Sequence, residues 1–340
     1  MDRKEQKIHI IGAGISGLIA ANVLENYGHS PVILEATDRA GGRVKTDIVD
    51  GFQLDHGFQV LLLAYPSAQK YLDYDALQLQ KFKSGSCVFI NGKQKFIGDP
   101  KRDPAVLFST LFSRIGNLSD KFKIMGLNAK LHKKSIEEIF KSKEVSTLQY
   151  LRDSGFSEDI INKFFRPFFT GIFLETELQT SSRMFEFVFK MFGEGYAALP
   201  KGGIEEISKQ LTGQLQNTSF QFNTRVADVT DSEIELTNGE KISTDYTIIA
   251  TEAENLVRNL QNQKTDWKSC QTLYFVAPKR LYQKPFIGLV ANEASLVNNI
   301  FFHTSLQMKH KGEGELLSVT VVKKHDLSSE ALVSKVQEEL

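Results

Sequence analysis

The sequence predicts an α/β fold built on an N-terminal strand–helix–strand unit, and three observations carry that prediction. An apolar run, Lys7-Ile-His-Ile-Ile11, leads directly into the glycine-rich turn Gly12-Ala13-Gly14-Ile15-Ser16-Gly17. A helical stretch from Leu18 to Asn26 follows, ending near Gly28, and a second apolar run, Pro31-Val-Ile-Leu-Glu35, closes on an acid. Farther along, a mainly helical segment gives way to short strand patterns. The first two features together read as a βαβ unit of the dinucleotide-binding kind.

The remaining elements follow in order. From Asp99 to Phe192 the pattern is mostly helical: Ser119 or Asp120 is the expected cap of a helix running toward Lys141. Ser146 or Thr147 opens another through Leu151 that stops at Gly155. After Gly202-Gly203, residues Ile204, Ile207, Leu211 and Leu215 share one helical face. Strands are expected at 220–222, 225–229, 233–236, 246–250, 272–277, around Ile300 and at 317–322. Asn238-Gly239 is a hairpin-turn signal.

Composition narrows the function classes. The chain has 340 residues, 41% hydrophobic and 24% charged, so it reads as globular, about two domains long. Lys plus Arg equals Asp plus Glu at 41 each, which gives no pull toward nucleic acid. Cys87 and Cys270 make neither a disulfide framework nor a metal pair, and no metal site is expected. The start is polar, and the apolar stretch after it is broken by glycines, so neither a signal peptide nor a spanning helix is expected and the cytoplasm is the default location.

The turn carries the chemistry. Gly12 allows the tight bend, Gly14 lets backbone approach a pyrophosphate, and Gly17 lets the helix pack on the strand. The helix N-terminus then turns unpaired N–H groups toward phosphate oxygens. Glu35 lies 23 residues after Gly12, near the spacing of about 20 expected for an acid that receives ribose hydroxyls. The stretch Glu35-Ala36-Thr37-Asp38-Arg39-Ala40-Gly41-Gly42-Arg43 adds a second glycine loop, with Arg43 available to neutralise pyrophosphate. The alternative is an unliganded turn with incidental arginines.

These residues resemble the FAD-dependent amine oxidase and phytoene desaturase superfamily, which includes protoporphyrinogen oxidases and carotenoid isomerases. The resemblance is strongest over Ile8 to Phe58. It implies Gly12, Gly14, Gly17 and Arg43 at the pyrophosphate, with Ala13, Ile15, Ser16, Arg39 and Gly41 in the same shell. It also implies Glu35 and Ala36 at the adenosine ribose and Gly42 beside the cofactor. Asp55-His-Gly57-Phe58-Gln59 is similar to the family's loop beneath the flavin. Val226 matches its strand at adenine, and Ala250 and Thr251 its strand returning to the cofactor. His56 is open between proton donor and plain packing residue. Phe164-Phe-Arg-Pro-Phe-Phe-Thr-Gly-Ile-Phe173 and Leu199-Pro-Lys-Gly-Gly203 resemble the desaturase- and isomerase-like bacterial branch.

The implied architecture is a Rossmann-type FAD-binding domain with a discontinuous α+β substrate domain. The FAD-binding pieces are expected at 1–75 and 195–262, the substrate pieces at 76–194, mostly helical, and 263–340. The implied activity is FAD-dependent oxidation of a small apolar substrate, polyene or porphyrinogen in type, by hydride transfer to flavin N5. The alternatives are an amine or amino-acid oxidase and a non-catalytic binding protein like the GDP dissociation inhibitors. The strand Cys270–Phe275 lacks the lysine that amine oxidases often place over the flavin. Catalytic residues stay unassigned. Ten of the chain's 25 phenylalanines lie between Phe156 and Phe192. They are open between a substrate tunnel, an ordinary core and a face for peripheral membrane contact. The family's closing Gly-Asp pair is absent from the C-terminal region, since the one Gly-Asp is Gly98-Asp99, so the chain is expected to be incomplete at its C-terminus.

Overall fold

The computed structural model describes residues 6–98, 115–263 and 265–340. Asp99, one half of the Gly-Asp pair, lies outside the described residues. Strand β1 (Ile8–Ile11) is buried along its whole length, as a strand with neighbours on both sides and cover on both faces must be. Its one polar residue, His9, is satisfied by Thr244 Oγ1 at 2.9 Å, and burial holds the imidazole's pKa below its ordinary value. Helix α1 (Ile15–Asn26) follows, and Gly28 just beyond its end takes the left-handed φ of 82°. Strand β2 (Val32–Leu34) completes the unit.

All four strands of this sheet are parallel. Their order is Ser219–Gln221, β2, β1, Tyr246–Ile249, so the chain leaves β1 to one side first and reaches its other side some two hundred residues later. Such a reversal of strand order beside β1 opens the crevice at the carboxyl ends where parallel sheets hold ligands. Helix Glu206–Gly213 packs against α1, with Ile204, Ile207 and Leu211 buried as their spacing predicts. A three-stranded antiparallel sheet, 226–229, 233–236 and 241–243, shares a core with β1 and β2 through Val226, Ile234 and Leu236.

A second sheet joins distant parts of the chain. Six strands run in the order 271–277, 315–321, 297–302, 287–290, 85–90 and 93–98. All pairs are antiparallel except 287–290 with 85–90. Helix Arg166–Phe173 lies on this sheet, and the terminal helix Ser329–Glu339 contributes Leu332 and Val336 to one of its cores.

The middle segment is helical from Leu118 onward. The single helix expected to run from a Ser119 or Asp120 cap to Lys141 is two helices, Leu118–Lys133 and Ile136–Lys141. Asn117 caps the first, its side chain taking the Asp120 N–H while Asp120 returns a bond to the Asn117 N–H. Ser135 and Glu138 form the same reciprocal pair and start the second helix, which is why the chain breaks at Lys134. Helix Thr147–Asp153 is capped by Ser146 and ends at left-handed Gly155. Several of the phenylalanines form a packed core: Phe165, Phe169 and Phe185 have no exposed surface and pack on one another at 4.7–6.4 Å between ring centroids. Among the described residues, no helix is long and apolar enough to cross a membrane.

Candidate functional site

The glycine turn, the second glycine loop and the end of strand Tyr246–Ile249 converge at the carboxyl end of β1. Gly12 donates to Leu34 O, and a Cβ on it would crowd the Ala250 carbonyl oxygen at 3.2 Å. Gly41 donates to Ala13 O, Gly14 and Gly41 form an isolated parallel bridge, and Gly42 lies against the Gly14 Cα. The glycines differ in what they do. A methyl group at Gly17 would sit 2.0 Å from Gly12 O, so packing of helix on turn demands glycine there. Gly14 has an ordinary φ of −70°, and a methyl on it would meet nothing within 4 Å. Neither conformation nor packing demands a glycine at that position, and its lack of a side chain leaves an open cradle over the turn. Ile15 and exposed Ser16 open α1, whose first turn has no side-chain cap and no acidic residue. Its N–H groups and positive dipole end are therefore directed at that cradle.

Glu35 stands at the end of β2, 7% exposed. One carboxylate oxygen accepts the Ala13 N–H at 2.7 Å; the other accepts the Thr37 N–H at 2.9 Å and the Thr37 hydroxyl at 2.8 Å. These bonds orient the acid and tie it to the turn; the oxygen that accepts only the Ala13 N–H keeps acceptor capacity for a further hydroxyl. Thr37 Oγ1 also receives Lys45 Nζ at 3.0 Å, a buried lysine that no pattern in the sequence marks. Half-buried Ala36 follows Glu35, and the chain at 223–224 runs beside this corner through Thr224 N–H to Glu35 O and Asn223 N–H to Thr37 O. Val226, two residues on, is buried against Ile11 and Leu34.

The two arginines diverge. Arg43 is exposed, its guanidinium carbon 5.6 Å from the centroid of the Trp267 ring, and remains available to a ligand. Arg39 binds Asp47 at 2.6 Å and Glu205 at 2.9 Å. Asp47 also meets His56 Nε2 at 2.7 Å, and the His56 and Arg39 contacts hold the Asp47 carboxyl below its usual range. Arg39 and His56 thus share a carboxylate in a surface network, which is a structural occupation for both. Sequence reasoning also missed Gln59, whose amide donates to Arg43 O at 2.8 Å and His56 O at 2.9 Å, fastening the arginine loop to the next. Its only signal was membership of the Asp55–Gln59 run.

That next loop carries Gly57, left-handed at φ 93° with open space on its Cβ side, and Phe58. Phe58 packs on Phe82, Phe301 and His303 at 6.3, 5.3 and 6.1 Å. His303 is fully buried against Ser318 Oγ at 3.0 Å, and desolvation drops its pKa to about 3. Tyr274, on the strand that lacks a lysine, donates its hydroxyl to Asp55 O at 2.9 Å, and burial raises its pKa. Burial also pushes the Asp55 carboxyl upward, against bonds from Thr46 Oγ1 and Ile204 N–H. A small cavity touches Gln53, Asp55, Gln80 and His303.

A parallel sheet whose first strand ends in a glycine turn, an acid bonded to that turn and a second glycine loop against it are the arrangement of the Rossmann-type flavoprotein class. The profile of the family described as flavin containing amine oxidoreductase matches residues 15–340. The chain belongs to the flavin-containing amine oxidoreductase family, and FAD is its cofactor. An L-amino-acid oxidase of Bothrops moojeni is 38% identical over 107 residues, 30% of this chain and 21% of that one. One of Gloydius blomhoffii is 39% identical over 103 residues, 29% and 20% of the two chains. The matched stretch thus spans about a fifth of the length of these curated relatives. Among solved structures, an oxidoreductase from Methanosarcina mazei superposes with a TM-score of 0.68 at 18% identity, over 98% of this chain and 82% of that one. Putrescine oxidase bound to putrescine gives 0.66 at 18% identity, over 97% and 80%. At those identities the likeness speaks for the fold.

Proposed function

We propose that the protein is an FAD-dependent oxidoreductase acting on an apolar substrate, polyene or porphyrinogen in type. The pyrophosphate would lie on Gly12–Gly17 and Gly41–Gly42, with Arg43 as its cation and the first turn of α1 beneath it. Glu35 would take the adenosine ribose hydroxyls. When bound, FAD supplies a two-electron acceptor at N5. This chain's own residues orient it and keep water out. Gly57 leaves room for a planar ring, and Gln59 holds that loop against the arginine loop.

The observation that favours an apolar substrate is the neutral aromatic surround of Phe58. Phe82 and Phe301 pack there, His303 stays uncharged down to about pH 3, and Tyr274 keeps its proton. A neutral aromatic neighbourhood suits a hydrocarbon better than an ammonium or carboxylate. A second reading, amine or amino-acid oxidation, draws support from the matches to L-amino-acid oxidases and from the polar side chains of Gln53, Asp55 and Gln80 around the small cavity. Anaerobic mixing of the FAD-loaded protein with a polyene, a porphyrinogen, an L-amino acid and a diamine separates the two. Bleaching of flavin absorbance by the apolar compounds alone supports the first reading, and bleaching by the amines alone overturns it.

A further inference from the structure

The helix Leu118–Lys133 has two apolar sides. Asp120, Leu127 and Leu131 are buried on its inner side. At about 100° per residue, Leu118, Phe122, Met125 and Ala129 fall together on the opposite side. Leu118 is 60% exposed, Phe122 70% and Met125 56%. Single exposed apolar residues are ordinary on a protein surface, but three large ones in register on one helix face form a patch.

The border of that patch is basic. Lys121 and Lys133 flank the patch and Lys130 lies beyond it, whereas Lys123 turns to the Gly155 carbonyl; the helix's single acid, Asp120, points inward to the Ser157 hydroxyl and the Ser157 and Asn117 N–H groups. Lys130 and Lys133 are exposed, Lys130 with its ammonium 5.9 Å from the centroid of the Tyr150 ring. Acids on neighbouring elements are engaged: Asp159 by Lys163 and the Gly116 N–H, Glu137 by Lys141, Glu138 by the Ser135 cap, Glu194 by Lys190 and His132. An apolar stripe flanked by lysines, on a helix whose one carboxylate points inward, is complementary to an anionic surface that has hydrocarbon directly behind its charges.

We propose that this helix face docks on an anionic lipid surface, lying in its plane with Leu118, Phe122 and Met125 at the acyl boundary and the lysines among the headgroups. The inference uses no residue of the flavin site and stands apart from the redox reading. The test is flotation of the FAD-loaded protein with vesicles of phosphatidylglycerol and phosphatidylcholine in equal parts, against vesicles of phosphatidylcholine alone. The protein should float with the mixed vesicles and much less with the neutral ones. The double variant Phe122→Ser/Met125→Ser should lose at least about tenfold in partitioning. Lys133→Glu should lose roughly fivefold or more. Both alter exposed side chains, so thermal melting and the flavin spectrum should match the parent and show that fold and redox site are intact. Protein that stays in solution with both vesicle types overturns the proposal, as does a double variant that floats as well as the parent. Self-association abolished by Phe122→Ser, without vesicle binding, would overturn it in favour of a second copy of the chain on this face.

Discussion

Replacing Gly14 with alanine separates what the turn owes to the fold from what it owes to a ligand. The added methyl meets no atom within 4 Å, and φ at −70° suits alanine. The cost to the unliganded protein is confined to the weaker helix-capping of alanine relative to glycine, about 0.5 kcal/mol. If the pyrophosphate occupies that space, the methyl overpacks the complex by about 1–3 kcal/mol, a loss of roughly fivefold to two-hundredfold in affinity. Gly17→Ala is the opposite case: its methyl would lie 2.0 Å from Gly12 O, and turn and helix must part. That variant should lose more than about 3 kcal/mol of stability before FAD is added. The assay is thermal melting of both variants without FAD, with FAD affinity from flavin fluorescence titration. A Gly14→Ala protein that binds FAD as the parent does would refute the placement of pyrophosphate on this turn.

Further consequences can be measured separately. Arg43→Ala should weaken FAD binding by about 1.5–3 kcal/mol without lowering the melting temperature, because the side chain is exposed; unchanged affinity in calorimetry would remove it from the site. Phe169→Ala should cost about 3–5 kcal/mol in denaturant unfolding, since the ring has no exposed surface; a small loss would point back to a tunnel wall. His303 binds its proton near pH 6.5 when unfolded but only near pH 3 when folded. The unfolded state therefore gains protons first as pH falls, and stability should decline from about pH 6.5 toward pH 3 by up to about 5 kcal/mol. His303→Asn should flatten that decline in pH-dependent unfolding, and an unchanged slope would assign it to other groups.

Local signals were legible where one stretch of sequence does the whole job. The two strands stand within a residue of their expected limits and the helix ends where expected, because buried apolar runs act on their immediate neighbours; the helix begins at Ile15, three residues before Leu18, inside the glycine run. Hairpin turns were read less evenly. Asn238-Gly239 carries the hairpin signal, yet only Gly239 is left-handed there, whereas both residues of Asp50-Gly51 and of Asn91-Gly92 are left-handed. Partners distant in sequence were not legible. Nothing in 85–90 announces that it will pair with 287–290, nor does Arg39 show that it will meet Glu205, 166 residues on. Gln59 and Lys45 act through backbone and hydroxyl groups brought near by the fold, and side-chain type alone does not encode such neighbours.

The most direct test of the account is the visible absorption spectrum of the purified protein after incubation with FAD and gel filtration. The account predicts a two-banded flavin spectrum that travels with the protein and is lost or reduced in Gly14→Ala and Arg43→Ala. A folded protein that emerges colourless after saturation with FAD would contradict it.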